Sequence, residues 1–242
     1  MKATKLLCGG LVILSMFLCS ANFSIADPLD NWHWRNPFPQ GNNLRAVTYG
    51  NGTFVAVGDY ATILTSPDGV SWTTRNSGTT YNLYGIAYNN AGFIAVGANG
   101  TILTSPDGLT WTKRTSGTSS SLSGVAYDNG TFVAVGHDGA ILTSPDGVTW
   151  TIRTSGTDSD SPLNGVSYGN GTFVAVGGSG YNGYGTGTIL TSPDGLIWTN
   201  LGTFNGLYGV AYVNGTFVAV GGSSNTGYCG TILTSPDGVS WT

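Results

Sequence analysis

One segment of this chain is written five times. Ser66-Pro67-Asp68-Gly69-Val70-Ser71-Trp72 returns at residues 105–111, 144–150, 192–198 and 235–241, so its tryptophans fall 39, 39, 48 and 43 residues apart. A unit of about 40 residues cannot bury an apolar face alone and must stack on its neighbours. The full unit reads L-x-x-V-x-Y-x-N-G-T-F-V-A-V-G, then a variable loop, then T-I-L-T-S-P-D-G-V-x-W-T-x-R-x-S-G-T. Four short strand-like runs fill it, in the third copy 122–127, 131–135, 140–144 and 148–153. That length and strand number are those of a propeller blade.

Composition points the same way. All 12 acidic residues are Asp and Lys plus Arg number only 8, so residues that fill exposed helix positions are scarce. The 39 Gly have no triplet period and accompany many Val, Ile, Thr, Tyr and Trp, which excludes both collagen and disorder. A formal charge of -4 and no basic cluster argue against a nucleic-acid partner.

Alternation in the run 122–127 predicts Leu122, Gly124 and Ala126 on one face and Ser123, Val125 and Tyr127 on the other, the small residues allowing close approach near an axis. Phe132-Val133-Ala134-Val135 is apolar on both faces, as in a strand buried between sheets. Asn51-Gly52, Asn129-Gly130, Asn170-Gly171 and Asn214-Gly215 supply the tight hairpins between first and second strands. In the Ser-Pro-Asp-Gly turn the Asp is expected to cap backbone N–H groups, the Gly to take unusual dihedrals, and the Trp to open the fourth strand facing inward.

The Ser-Pro-Asp-Gly-x-x-Trp turn resembles the Asp-box, or BNR, repeat of sialidases and of many non-enzymatic propellers, and the resemblance covers residues 44–242. The usual Asp-box separates Asp from Gly by one residue, whereas Asp68 and Gly69 are adjacent, as in the other four copies. The similarity is therefore closer to bacterial Asp-box-like propeller repeats and photosystem II stability factor-like repeats than to the sialidase form. It implies an all-β propeller, with five four-stranded blades as the simplest count. Residues 30–36 echo the end of a repeat and are expected to add an outer strand that closes the ring. The alternative is a ring assembled differently, through association of copies or a longer chain.

Lys2 and Lys5 precede the apolar stretch 6–18, and Ser24-Ile25-Ala26 offers small residues for a peptidase, so residues 1–26 read as a signal peptide. Residues 27–43 are the closing segment and 44–242 the propeller. Removal of the leader takes Cys8 and Cys19 with it, leaves Cys229 without an intrachain partner, and leaves no membrane span. The expected location is secreted or periplasmic, including the cell surface.

Repeat-equivalent polar residues read as architecture. Asp68, Asp107, Asp146, Asp194 and Asp237 occupy equivalent turns, and Arg75, Arg114 and Arg153 are expected to be solvated or turn-bonding. The sialidase resemblance would imply an arginine cluster, an acidic group and a Tyr nucleophile activated by Glu, but the chain has no Glu. No catalytic residue, cofactor or metal is assigned; His33 and His137 lack a spaced ligand set, and Asp158-Ser159-Asp160 lacks a calcium loop.

Departures from the repeat are the functional signal. The loop between second and third strands grows at 178–187 and again at 222–230, and variable loops on a rigid scaffold commonly bind. Tyr181, Asn182, Tyr184, Asn225 and Tyr228 are the expected ligand-binding residues, aromatic rings stacking and amides hydrogen-bonding. The expected function is a non-enzymatic binding or scaffold module for an extracytoplasmic protein or glycan. A glycosidase- or sialidase-like hydrolase, and an assembly factor that binds a partner protein complex, are the alternatives.

Overall fold

Hairpin turns spaced by five to seven residues of β-forming sequence give antiparallel sheets whose strands follow chain order. The computed structural model describes residues 41–157, 161–178, 186–223 and 229–242. The first sheet is β1 (Leu44–Gly50), β2 (Thr53–Gly58), β3 (Ile63–Ser66) and β4 (Thr73–Arg75). The second is β5 (Leu83–Asn89), β6 (Gly92–Gly97), β7 (Ile102–Ser105) and β8 (Thr112–Arg114). The third is β9 (Leu122–Asp128), β10 (Thr131–Gly136), β11 (Ile141–Ser144) and β12 (Thr151–Arg153). The fourth is β13 (Leu163–Gly169), β14 (Thr172–Gly178), β15 (Thr186–Ser192) and β16 (Thr199–Asn205). The fifth holds three strands, β17 (Leu207–Val213), β18 (Thr216–Ser223) and β19 (Cys229–Ser235).

The expectation of a fourth strand in every sheet is thus met in four of five. Thr242 exchanges both backbone hydrogen bonds with Thr234, at 2.9 and 3.0 Å, which reproduces the pairing of Thr73 with Thr65, and the chain ends at that pair. The closing segment proposed at 30–36 lies outside the described residues, as does the leader.

The first strands lie against one another in succession, β1 on β5, β5 on β9, β9 on β13 and β13 on β17, in a propeller-like arrangement. Glycines set that spacing. A Cβ placed on Gly85 would come within 3.1 Å of the Gly124 Cα, and one on Gly124 or Gly165 within 3.4 Å of the next glycine's Cα. Each of the three middle sheets then has a leading face that packs on the sheet before it and a trailing face that packs on the sheet after. At the second junction, Ile94, Val96 and Ile102 trail and meet Leu122, Phe132, Ala134 and Leu142. The third junction joins Val133, Val135 and Ile141 to Leu163, Phe173, Ala175 and Leu190. Thus β10 is apolar on both faces because it serves two junctions, and each such fully buried side chain stabilises by about 1.5–3 kcal/mol.

Two details differ from the sequence expectation. Leu122 shares its face with Val125 and Tyr127, not with Gly124. The cause is a register shift between Leu122 and Gly124, where Ser123 is an extra residue and side-chain alternation is reset. Trp150 also does not open the fourth strand, because the turn runs through it and β12 begins at Thr151. The indole instead packs on the Phe132 ring at 6.3 Å and donates Nε1–H to Gly147 O at 3.0 Å.

Candidate functional site at the loop-bearing end

The two ends of the sheets differ in chemistry. At the hairpin end the Asp turns close on themselves. Asp68 Oδ1 accepts the N–H groups of Val70 and Ser71 at 2.8 Å each and the Ser66 hydroxyl at 2.9 Å, while Ser66 Oγ accepts the Gly69 N–H at 2.8 Å. The same set recurs around Asp107, Asp146, Asp194 and Asp237. Backbone N–H donors hold all five carboxyls below the usual range, Asp146 and Asp237 to about 2. These carboxylates are engaged in architecture, as their repetition implied. Arg75, Arg114 and Arg153 each donate Nε–H across the sheet to Thr65, Thr104 and Thr143, at 2.8–2.9 Å. Among the described residues no three His, Cys, Asp or Glu side chains gather into a group that could hold a metal ion. No described helix is long and apolar enough to cross a membrane.

The opposite end carries the unlike groups. Every first strand has the same register shift after its opening Leu, so every first strand places one bulged residue there: Arg45, Tyr84, Ser123, Asn164 and Tyr208. A bulge re-aims its side chain and releases it from packing. Five equivalent slots beside one another thus hold a cation, two phenols, a hydroxyl and an amide, which is the convergence of different groups that the Asp turns lack. Sequence reasoning missed this set, although variation at the residue after each Leu was visible.

Several of these side chains brace the roots of the loops. Arg45 donates to Asp59, just beyond β2, and that contact with the help of Asn43 holds the Asp59 carboxyl below its usual range. Asn164 Nδ2 donates to Gly178 O at 3.2 Å and to Leu207 O at 2.7 Å, tying the fourth sheet to the fifth. Tyr208 donates its hydroxyl to Gly222 O at 3.3 Å. Gly178 and Gly222 stand where the two enlarged loops begin. The expected ligand-binding residues Tyr181, Asn182, Tyr184, Asn225 and Tyr228 belong to those loops and lie outside the described residues.

The short loops show a further asymmetry. Asn99-Gly100 and Asp138-Gly139 turn the second and third loops with positive φ, which those residues tolerate. The first loop makes the same turn with Tyr60 at φ 53° and Ala61 at φ 58°, residues for which that conformation is costly. The Tyr60 N–H is held by Asn82 Oδ1 at 2.8 Å while the residue is 78 % exposed. An exposed aromatic maintained at a backbone cost belongs to the same end as the bulged residues. A groove of about 630 Å³ lies there as well, lined by Asn99, Gly100 and residues 113–119, with Lys113 Nζ 5.8 Å from the Tyr81 ring centroid.

No protein-family model matches the chain, and no curated protein matches it. Solved structures do. A structure of YCF48 bound to D1 peptide has a TM-score of 0.62 at 17% identity, covering 84% of this chain and 67% of that one. YCF48 from Cyanidioschyzon merolae follows at 0.58 and 15% identity, covering 85% and 86%. The computationally designed Ika8 protein gives 0.56 at 15% identity, covering 81% of this chain and 58% of that one. At such identities the shared property is the fold: an Asp-box-like β-propeller of the YCF48 type.

Proposed function

We propose that this chain is a non-catalytic propeller module that holds a segment of a partner protein at its loop-bearing end, outside the cytoplasm. The observation that carries the reading is the set of five bulged residues of four types, Arg45, Tyr84, Ser123, Asn164 and Tyr208, on an otherwise repetitive scaffold. A row of phenols, amide, hydroxyl and guanidinium on successive first strands suits an extended peptide, which offers carbonyls, N–H groups and side chains at short intervals. The YCF48 structure bound to D1 peptide is an instance of this fold with a peptide partner. That likeness favours an assembly-factor-like role over a glycan-binding one. Tyr181, Asn182, Tyr184, Asn225 and Tyr228 of the two enlarged loops are proposed as further contacts for that segment, and residues 1–26 as the leader that delivers the module across the membrane.

Parallel peptide and glycan arrays test the proposal, using wild type, Arg45→Ala/Tyr208→Ala and Tyr181→Ala/Tyr184→Ala/Tyr228→Ala chains of matched thermal stability. Sequence-selective peptide binding that weakens at least tenfold in the Arg45/Tyr208 variant supports it. Binding confined to glycans and lost in the triple variant assigns the end to carbohydrate and overturns it, as does an absence of binding to either array.

A further inference from the structure

The first loop breaks the turn rule that its neighbours keep. Its two left-handed positions hold Tyr60 and Ala61, where the second loop has Asn99 and Gly100 and the third has Asp138 and Gly139, all with φ between 53° and 64°. Asn, Asp and Gly tolerate that conformation, and Tyr and Ala do not. The turn therefore gains nothing from a tyrosine. The core gains nothing either, because Tyr60 is more exposed than Tyr49, Tyr81 or Tyr208. A strained conformation held by its surroundings, on a residue left in water, is the mark of a functional side chain.

Those surroundings are specific. The Tyr60 N–H donates to Asn82 Oδ1, which fixes the amide: its oxygen faces the loop, and its Nδ2 has no partner among the described residues. Asn43, which likewise precedes the opening Leu of a first strand, is used the other way and donates Nδ2 to Asp59 Oδ2 at 2.9 Å. Tyr81 and Tyr84 flank Asn82 in the chain, the first exposed and steadied by Lys113, the second half-buried. Three tyrosines and one amide donor thus gather about a single contact between the first loop and the connection into the second sheet.

We infer that this corner, Tyr60 with Tyr81, Asn82 and Tyr84, anchors the partner segment by binding proline in an extended, polyproline-type stretch of it. The inference rests on the peptide-binding reading above and names the chemistry of the peptide. A polyproline-type stretch makes no internal hydrogen bonds, so its carbonyls require outside donors, and Asn82 Nδ2 and the phenol hydroxyls supply them. Its pyrrolidine rings are apolar surfaces that lie on exposed aromatic rings, which is how aromatic-lined grooves take Pro-rich segments. Both partners are ordered before they meet, the peptide by its rings and Tyr60 by its clamped backbone, so little conformational entropy is lost on docking.

Two short peptide libraries, one with Pro-x-x-Pro at its centre and one with Ala-x-x-Ala, test it against the full chain expressed with its leader and purified as processed. Wild type is expected to bind the proline library at least tenfold more tightly. Tyr60→Asn removes the ring and installs the residue that Asn99 already supplies in the next loop, so the urea midpoint should hold or rise while the proline preference falls at least tenfold. Asn82→Asp keeps an oxygen for the Tyr60 N–H and removes the outward donor. It should lose the same preference with exchange of the Tyr60 amide unchanged. A proline preference that survives both substitutions overturns the inference. Peptide binding that depends on Arg45 and Tyr208 but is indifferent to proline overturns it alone, and an absence of peptide binding overturns it together with the reading on which it rests.

Discussion

The Arg45 guanidinium donates two hydrogen bonds to the Asp59 carboxylate, Nε to Oδ1 at 3.0 Å and Nη2 to Oδ2 at 2.9 Å. The carboxylate is buried and the guanidinium half exposed, so the pair closes the first loop from its solvent side. Asn43 Nδ2 adds a third bond to the carboxylate, and the Thr62 hydroxyl donates to Asp59 O at 2.7 Å. Arg45→Ala should therefore speed amide exchange at Gly58, Asp59 and Thr62, because Asp59 loses its main partner. The equivalent amides Gly97 and Thr101 of the second loop should not change, and exchange followed by mass spectrometry or NMR checks both.

Backbone strain in the same loop gives a prediction of opposite sign. Ala61→Gly relieves a left-handed alanine and should stabilise the fold by about 1 kcal/mol in urea denaturation. Gly100→Ala, the reverse exchange at the matching position, should destabilise, since its Cβ would fall 2.0 Å from Thr118 O as well as adopt φ +60°. A neutral result for Ala61→Gly would mean that the left-handed turn carries no cost.

In the third hairpin turn the buried Ser144 hydroxyl accepts the Gly147 N–H at 2.8 Å and donates to Asp146 at 3.0 Å. Ser144→Ala leaves that N–H without its acceptor and should cost about 1–3 kcal/mol. Ser123→Ala, at a bulged position, should leave stability within about 0.5 kcal/mol, as expected of a substitution away from the core. Urea titration of the two variants side by side distinguishes a turn residue from a surface residue.

Acid should unfold the protein through its turns. Their N–H donors favour the ionised carboxylates, so each Asp is more acidic folded than unfolded, where its value is about 3.9. The stabilisation is complete above about pH 4 and is lost as pH falls toward the folded value of about 2 that Asp146 and Asp237 reach. Asp146→Asn should lower stability at neutral pH and flatten the loss between those limits. Denaturation midpoints measured from neutral pH down to pH 2 test the sign.

Much of the scaffold was legible because its signals are local. Asn51-Gly52, Asn129-Gly130, Asn170-Gly171 and Asn214-Gly215 all take the double positive φ that the dipeptide announces, and the Asp-turn bonds connect residues no more than three apart. The site was less legible because it depends on a bulge. Strict alternation put Leu122 with Gly124, but one extra residue at Ser123 places Leu122 with Val125 and frees the serine. Bulging leaves no mark in hydrophobic periodicity, which records only what is buried. Its trace is the mismatch of Arg45, Tyr84, Ser123, Asn164 and Tyr208 at one place in an otherwise uniform repeat. Tyr60-Ala61 left a similar trace, standing where Asn99-Gly100 stands in the next copy.

The five bulges divide the inheritance of the repeat into two parts. Residues such as Leu122 and Gly124 are tied to neighbours in adjacent sheets, so a change in one demands an answer from another. Ser123, between them, has no such obligation. A duplicated blade therefore arrives with a finished core and one unassigned position, and new recognition can be explored there one substitution at a time. Copying supplies the solid, and divergence at the bulged positions changes the roots of the loops while leaving the shared core as it was.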